Sequence, residues 1–362
     1  MRIFVRQYCT MHTTVKIHKI KESKIGQVDF NNLSFGDQFT DHMFTCDYVN
    51  GEWQQPEIVP YGALQIDPAA KVFHYGQAVF EGMKAFKDDD GQVWLFRPEE
   101  NFERINKSAS RLAIPEFPKA YFFEGLEALL AIENEWIKPG DGNSLYIRPF
   151  VIATESGVSA SPANRYKFLI ICAPAQSYYS GDVRVLFAEE YSRAANGGVG
   201  YAKAAGNYAA QFHPTNLASK EGYQQIVWTD ASNHEYLEEA GTMNVFFRIG
   251  DTLLTAPTND RILDGVTRKS VIQLVTDAGI PIEVRNITVS EIVSAAKDGS
   301  LKEIFGTGTA AVIIPIKGFG YQGENYELSE PQDSYATRFK KVLKDIQYNR
   351  IPDAHGWRYA VK

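Results

Sequence analysis

The segment Gly197–Tyr208 contains a single lysine, Lys203, within a run of small and uncharged residues. Lysine usually lies at the surface, where its ammonium group is hydrated. The small neighbours indicate a close-packed turn, in which this ammonium would lose its proton more easily than in water. A neutral amine can form a Schiff base with a carbonyl, so the segment predicts an enzyme that holds an electrophilic cofactor covalently. Spacing alone leaves open the alternative of a surface turn with small residues.

Composition favours a soluble enzyme and argues against several other classes of protein. Of the 362 residues, 44% are hydrophobic, which allows a sizeable core and suggests two domains. The net charge of −7 and the pI near 5.6 argue against nucleic acid or an anionic membrane surface as a partner. The apolar runs are too short to cross a membrane.

The three cysteines, Cys9, Cys46 and Cys172, show no CxxC pair. This fits a reducing compartment, so we expect a cytoplasmic protein without a structural disulfide. We assign no metal site, because the histidines show no metal-ligand spacing. The first residues lack the apolar core of a secretion signal, and translation could start at Met1 or Met11.

Alternating patterns predict a mixed α/β chain. Strand-like runs lie at Gln92–Phe96, Ser144–Thr154, Arg165–Ala173, Val183–Ala188, Gln225–Thr229, Asn244–Ile249, Ile282–Val284 and Glu303–Phe305. Helical patterns cover Pro98–Ala113, Pro118–Ile137, Thr267–Ala278, Val289–Lys297 and Gln332–Tyr348.

Turn-forming residues at Ala173–Asp182 predict the linker between two domains. We therefore expect an N-terminal extension at 1–27, disordered or with little part in the fold, and a smaller domain at 28–174. An interdomain loop at 175–193 then leads to a larger domain at 194–362, which carries the lysine. A cleft between two domains is a common place for a small-molecule site.

Three segments offer groups that bind phosphate. Asp264–Thr267 precedes a helical pattern, and free amides at a helix N-terminus bind anions. Gly306–Ala310 follows a predicted strand, and Arg97 stands at a strand-to-helix junction. Together they predict a phosphorylated cofactor, although ordinary turns and a solvated arginine would look the same. The spacing matches neither the Walker A nor the dinucleotide motif, which argues against a nucleotide.

Two adjacent glutamates, Glu238 and Glu239, stand between an apolar run and Gly241. An acid that faces inward needs a cationic or proton-donating partner, and a protonated pyridine nitrogen would serve. An exposed hairpin end is the alternative.

Six motifs of this chain resemble those of the branched-chain amino acid aminotransferases, which are fold type IV pyridoxal-phosphate enzymes. Any one of these motifs is a weak signal, but all occur here in the family's order. They are His74–Phe86, Leu145–Pro149, Lys203–Tyr208, Glu239–Asn244, Gly265–Arg268 and Phe305–Ala310. The resemblance implies a mixed α/β, two-domain fold like that of the D-amino acid aminotransferases. It also implies transfer of amino groups between leucine, isoleucine or valine and 2-oxoglutarate by a ping-pong mechanism.

The resemblance assigns roles to residues of this chain. It makes Lys203 the catalytic lysine that binds pyridoxal 5′-phosphate, Glu239 the partner of the pyridine nitrogen, and Tyr208 the partner of the ring hydroxyl. It implies that the cofactor phosphate is bound by Arg97, by the amides of Val266 and Thr267, and by the hydroxyl of Thr309. It assigns to the substrate Tyr75, Phe80, Tyr146, Arg148, Val158, Thr309 and Ala310.

The resemblance also implies a homodimer, in which a first-domain loop of one subunit lies near the site of its partner. A substrate role for Tyr178 and Tyr179 is plausible. Pro214 departs from the family's usual helix after the tyrosine and should kink that helix or delay its start. Ala311 and Ile314 replace the cysteines of the redox-sensitive members, so we expect no thiol switch.

Three alternatives remain at this stage. A D-amino acid aminotransferase and an aminodeoxychorismate lyase would keep the lysine, the acid and the phosphate site. The substrate-side set Tyr146, Arg148 and Thr307–Ala310 matches the L-specific enzymes instead. A non-catalytic binding protein on the same fold would need a missing lysine or acid, and both are present.

Overall fold

A computed structural model describes residues 15–176, 181–329 and 331–362 of the chain. Its strands are β1 (Lys16–Ile17), β2 (His42–Val49), β3 (Glu52–Trp53), β4 (Glu57–Pro60), β5 (Ala78–Phe80), β6 (Met83–Lys87), β7 (Val93–Phe96), β8 (Ser144–Ala153), β9 (Tyr166–Ala175), β10 (Val183–Phe187), β11 (Gln225–Thr229), β12 (Tyr236–Ala240), β13 (Asn244–Ile249), β14 (Thr252–Thr255), β15 (Ile282–Val284), β16 (Ile287–Thr288), β17 (Leu301–Gly308), β18 (Val312–Tyr321), β19 (Glu324–Glu327) and β20 (Arg358–Ala360). Its α-helices are α1 (Lys71–Tyr75), α2 (Pro98–Arg111), α3 (Lys119–Ile132), α4 (Ala205–Ala209), α5 (Phe212–Lys220), α6 (Val266–Asp277), α7 (Val289–Lys297) and α8 (Tyr335–Gln347).

The strands form two sheets. The first has the order β1-β4-β2-β9-β8-β6-β7-β20, with β3 beside β2 and β5 beside β8. The second has the order β15-β14-β13-β17-β18-β10-β11-β12-β16, with β19 beside β18. In the second sheet β10 runs parallel to both β11 and β18, whereas the long β17–β18 pair is antiparallel. Strands of both directions in one sheet agree with the predicted mixed α/β class.

Two helices illustrate how the sequence sets where a helix begins. Pro98 occupies the first turn of α2, followed by Glu99 and Glu100, which suit the positive end of the helix dipole. The hydroxyl of Ser334 accepts the amide of Thr337 and caps α8. This cap explains why α8 begins at Tyr335 and not at the predicted residue 332.

Each sheet has its own core. In the first sheet the rings of Phe117 and Phe168 stack with centroids 3.7 Å apart, and Phe44 packs edge-on against both. In the second sheet Phe187 stacks on Phe319 with centroids 4.3 Å apart. Such buried aromatic pairs add to the free energy gained by removing apolar area from water.

Several local predictions are confirmed. The strands at Gln225–Thr229, Asn244–Ile249 and Ile282–Val284 and the helix Val289–Lys297 have the predicted bounds. The delayed helix start is also confirmed, because α4 ends at Ala209 and α5 begins at Phe212 with Pro214 in its first turn.

The domain boundaries remain a proposal, and two features bear on them. Lys16 and Ile17, within the proposed extension, pair with β4 of the first sheet. Arg358–Ala360, within the proposed larger domain, pairs with β7 of the first sheet. Both ends of the described chain therefore contact the first sheet.

Within residues 15–176, 181–329 and 331–362, no helix is long and apolar enough to cross a membrane. The same residues contain no cluster of three or more histidine, cysteine or acidic side chains that could hold a metal ion. Cys46 and Cys172 are buried free thiols.

Candidate active site

Two adjoining cavities lie between the sheets and share several of their walls. We call them together the active-site cavity. The residues common to both are Lys203, Tyr208, Thr242, Met243, Gly308 and Thr309. The first cavity also contacts Phe80, Tyr146 and Arg148, and the second also contacts Glu239, Val266 and Thr267. Most of the residues that the sequence assigned to one site therefore do meet around one space.

Lys203 lies in the active-site cavity and not on a surface turn. Its amide donates to the hydroxyl of Ser108 at 2.9 Å, and its carbonyl accepts the amide of Phe80 at 3.1 Å. Its Nζ donates to the Tyr208 hydroxyl at 2.7 Å and lies 4.8 Å from the centroid of the Phe80 ring. Bonds at both ends of the residue fix the direction of the side chain and leave the amine facing the cavity.

Glu239 is a buried acid at one end of the cavity. One carboxylate oxygen lies 2.8 Å from Nη1 of Arg193, and the other accepts the Asn244 side-chain amide at 3.1 Å and the Leu263 backbone amide at 3.2 Å. Burial raises the pKa of Glu239 to about 7, although Arg193 and the Leu263 amide act in the opposite direction. The acid therefore lacks enough positive charge around it to remain ionised as readily as in water.

Glu238 is equally buried, but its side chain leaves β12 on the other side. It forms an ion pair with Arg261, and burial raises its pKa as well. Successive residues of a strand point to opposite faces, so Glu238 and Glu239 cannot both face the cavity. The alternative of an exposed hairpin end is wrong, since the two residues are 3% and 4% exposed.

Backbone amides gather at the opposite end of the cavity. Val266 and Thr267 are the first residues of α6, whose first amides have no partner within the helix. Gly265 precedes them, and a Cβ at this position would lie 2.0 Å from Oδ1 of Asn244. Thr309 faces the same space and donates its hydroxyl to the Gly82 carbonyl at 3.0 Å. The arrangement is that of an anion site at a helix N-terminus.

The structure does not bring Arg97 to the cavity, contrary to our expectation. Its Nη2 donates to Glu100 at 2.7 Å, its Nη1 donates to Ser270 at 2.9 Å, and its guanidinium packs over the Trp357 ring. The residue has a left-handed backbone conformation, with φ of 51°, immediately before α2. Its side chain is thereby committed to neighbours outside the cavity.

Arg104, about two turns further along α2, is the arginine that contacts the cavity beside Val266 and Thr267. Its Nε and Nη2 donate to the two carboxylate oxygens of Glu81 at 2.6 and 2.9 Å, and its Nη1 donates to the Asp264 carbonyl at 2.9 Å. A sequence signal for this residue existed. Asn101, Arg104 and Ser108 recur at helical spacing, so the helix carries a polar stripe beside its apolar face.

The substrate-side residues Tyr146, Arg148 and Phe80 lie together. Nη2 of Arg148 donates to the Tyr146 hydroxyl at 3.0 Å, and the guanidinium packs 4.6 Å from the centroid of the Phe80 ring. Nε of Arg148 is buried without a hydrogen-bond partner. A buried donor of this kind is costly unless a ligand or water satisfies it. Ala310 contacts the same cavity.

Tyr75 and Val158 lie outside this cavity. They are 43% and 70% exposed, and the Tyr75 hydroxyl donates to the Val158 carbonyl. Phe73, which is 61% exposed, lies on the same short helix α1 as Tyr75. Tyr178 and Tyr179 fall outside the described residues.

Two further residues were missed by the sequence reasoning. Phe35 contacts the cavity and packs edge-on against Tyr146, with centroids 4.9 Å apart. Arg193 forms an ion pair with Glu239, although the two residues are far apart in the sequence. No spacing links residue 35 or residue 193 to the site, because each comes from a segment distant in sequence.

Comparison with known proteins gives a consistent result. The family model for amino-transferase class IV matches residues 78–319. The branched-chain-amino-acid aminotransferase 2 of Bacillus subtilis is 43% identical over 349 residues, which are 95% of this chain and 96% of that protein.

Solved structures share the fold. The branched-chain aminotransferase of Thermoproteus uzoniensis with norvaline has a TM-score of 0.74 at 22% identity, and covers 89% of this chain and 100% of that chain. The branched-chain amino acid aminotransferase of Thermobaculum terrenum in its PLP-form has a TM-score of 0.73 at 20% identity, over 89% and 98% of the two chains. These matches confirm the predicted fold class and the resemblance drawn from the motifs. On the family model and the Bacillus relative, this chain belongs to the class IV aminotransferase family.

Proposed function

We propose that this aminotransferase uses pyridoxal 5′-phosphate and exchanges the amino group of L-leucine, L-isoleucine or L-valine with 2-oxoglutarate. The observation that carries the proposal is the convergence of Lys203, Tyr208 and Glu239 on one cavity that ends in an amide-rich helix N-terminus. The name of the Bacillus relative and the cofactor-bound form of the Thermobaculum enzyme support it.

The residues of the cavity fit this cofactor. Glu239 is a buried carboxylate whose raised pKa reflects a shortage of positive charge, and a protonated ring nitrogen would supply that charge. The amides of Val266 and Thr267 and the guanidinium of Arg104 would hold the phosphate, and the Thr309 hydroxyl would join them by turning away from the Gly82 carbonyl. When bound, pyridoxal phosphate supplies an electron sink for the negative charge left by the departing Cα proton.

Lys203 is the group that holds and moves this proton. Its Nζ is oriented by the Tyr208 hydroxyl at 2.7 Å and flanked by the Phe80 ring. In the proposed reaction the neutral amine takes the proton from the substrate Cα as a general base and donates it back as a general acid. Tyr208 accepts the hydrogen bond from Lys203 and keeps its own hydroxyl proton available for the ring oxygen of the cofactor.

The other wall of the cavity suits amino acids with either an apolar or an acidic side chain. Phe80 and Phe35 offer apolar surface, and Tyr146 with the amides of Thr309 and Ala310 would bind the α-carboxylate. The unsatisfied Nε of Arg148 would meet the distal carboxylate of glutamate. One site can thus receive a branched-chain donor and glutamate in turn, as a ping-pong exchange requires.

We also propose a homodimer in which Tyr75 and Val158 reach the cavity of the partner subunit. In their own subunit they stand outside the cavity, are exposed, and are joined by the bond from the Tyr75 hydroxyl to the Val158 carbonyl. Contiguous exposed apolar side chains are typical of a protein interface. A two-fold interface would bring each such pair to the partner. For the compartment we propose the cytoplasm, since Cys46 and Cys172 are free thiols.

Replacement of the catalytic lysine tests the function. We expect Lys203→Ala to reduce transamination of L-leucine with 2-oxoglutarate at least about a thousandfold, because the general base is lost. Lys220→Ala, at the exposed end of α5, is the matched control and should keep wild-type turnover. Borohydride reduction followed by peptide mass analysis should attach the cofactor to residue 203 in the wild type. A wild type that prefers D-leucine, or a fully active Lys203→Ala variant, would contradict the proposal.

The two neighbouring acids give a second test. Glu239→Gln should lower kcat by about a hundredfold, because an amide cannot support a positive charge on the ring nitrogen. Glu238→Gln removes an equally buried carboxylate that faces Arg261, and should change kcat less than about threefold per folded molecule. Steady-state kinetics on protein quantified by cofactor absorbance measures both. An equal loss of kcat in the two variants would contradict the assignment of Glu239, and not Glu238, to the ring nitrogen.

The two arginines can be separated in the same way. Either single substitution, Arg104→Gln or Glu81→Gln, would leave its partner buried and unpaired, so the variant to use is Glu81→Gln/Arg104→Gln, with the wild type as its control. We expect the double variant to bind pyridoxal phosphate at least about tenfold more weakly than its control, through loss of a charge-assisted bond. Arg97→Gln should bind it as the wild type does. Equilibrium titration of cofactor-free protein with pyridoxal phosphate measures these affinities. Weakened binding in Arg97→Gln alone would support the sequence-based assignment of Arg97 to the phosphate.

A mixed dimer tests the contribution of the partner. Chains with Lys203→Ala and chains with Val158→Asp should each form inactive homodimers. A mixed dimer would combine an intact Lys203 with an intact Val158 of the partner subunit at one of its two sites, and should regain about half of the wild-type activity. Differently tagged chains, purified in tandem and sized by light scattering, provide the sample. An inactive mixed dimer of the correct size would mean that Val158 serves its own subunit.

A further inference from the structure

A second cavity lies behind the turn that follows β17. Its walls come from the first sheet, from the turn 309–312 and from α8. Its lining includes Lys84, Ala310, Ala311, Lys340, Lys344 and Gln347. We call it the lysine cavity, after Lys84, Lys340 and Lys344. The proposed reaction uses none of these three residues.

The three lysines converge for structural reasons. Lys340, Lys344 and Gln347 lie four and three residues apart on α8, so they occupy one face of the helix. Lys84 approaches from β6 and is only 8% exposed. Long basic side chains normally extend into water, so a nearly buried ammonium beside two others calls for an explanation.

Negative charge is scarce around these lysines. Burial and the charges of Lys344 and Lys340 lower the pKa of Lys84 to about 8, and burial and Lys344 lower the pKa of Lys340. In the described part of the chain, Lys344 has one acidic partner, Asp141, at 2.8 Å, and that carboxylate is shared with Arg350 at 3.1 Å. The protein itself therefore leaves the positive charge of the cavity largely uncompensated.

The cavity also contains a polar atom without a partner. Gln347 is only 7% exposed, and its Oε1 accepts no hydrogen bond from the described residues. Lys84 donates to the carbonyl of Ala310 at 3.0 Å, which occupies one of its three N–H groups. Among the described residues, the Gln347 acceptor has no donor and the ammonium groups of Lys84 and Lys340 have no carboxylate partner, and these are features of a site made for a ligand.

We propose that the lysine cavity binds a small oxyanion, a carboxylate or a phosphate, between Lys84, Lys340 and Lys344. An anionic oxygen would accept charge-assisted hydrogen bonds from the three ammonium groups. A hydroxyl on the same molecule, such as that of a hydroxy acid or a protonated phosphate, would donate to Oε1 of Gln347. The lysine cavity shares Ala310 and Ala311 with the active-site cavity, and its residues Lys84 and Gln347 also line a small cavity that reaches Val266, Thr267 and Thr309.

Calorimetric titration of the cofactor-loaded enzyme with inorganic phosphate tests the proposal. The cofactor's own phosphate then fills the helix N-terminus in the active site. We expect saturable binding that Lys340→Gln/Lys344→Gln weakens at least about tenfold. Lys341→Gln is the matched control, because Lys341 is on the same helix but 78% exposed, and it should change the affinity less than about twofold. Both titrations use a chloride-free buffer. A second titration with acetate distinguishes a carboxylate site from a phosphate site.

Either probe supports the proposal if its binding is lost in the double variant and kept in Lys341→Gln. Absence of saturable binding of both probes, or equal affinity of wild type and double variant, would overturn it. Acetylation by acetic anhydride gives an independent readout by peptide mass analysis. The bound probe should slow acetylation of Lys340 and Lys344 and leave Lys341 unchanged. Equal rates with and without a probe that binds would place that probe elsewhere and refute the site.

Discussion

The buried ion pair between Arg104 and Glu81 is the contact on which the geometry of the site depends. Glu81 follows β5 of the first sheet and is fully buried, while the third bond of Arg104 reaches the Asp264 carbonyl just before α6. Taking two charges out of water is costly unless their geometry is nearly ideal, and a bidentate guanidinium–carboxylate pair meets that condition. Because one guanidinium serves both partners, it fixes the start of α6 relative to the first sheet.

The rest of the active-site cavity repeats this arrangement of buried charges. Glu239 is held by Arg193 from one side and by Asn244 and Leu263 from the other, and Lys203 is held at its backbone by Ser108 and Phe80. Each charged group thus has partners from a different part of the chain and keeps one side toward the cavity. A cofactor that carries both a cationic ring and an anionic phosphate complements the two ends of such a space.

The sequence predicted what depends on neighbours along the chain. Lys203, Glu239 and Thr267 were assigned to one site because each belongs to a short motif, and the structure places all three around one cavity. Arg97 was predicted because a strand-to-helix junction is visible in sequence. Arg104 was missed because the direction of a guanidinium depends on its tertiary partners. Phe35 and Arg193 left no local signal.

The turn after β17 shows how such long-range contacts could connect two sites. From the first sheet, the Gly82 carbonyl accepts the Thr309 hydroxyl, and Lys84 donates to the Ala310 carbonyl. Gly82 and Lys84 are two residues apart, so the two bonds tie the turn to one short segment of the first domain's chain. An oxyanion in the lysine cavity would draw on the same ammonium that holds Ala310, while a substrate carboxylate would meet the amides on the opposite side of the turn. If an oxyanion in the lysine cavity shifts this turn, it changes the affinity of the active site for substrate. Substrate must then change the affinity of the lysine cavity for the oxyanion by the same factor, because coupling between binding sites is reciprocal.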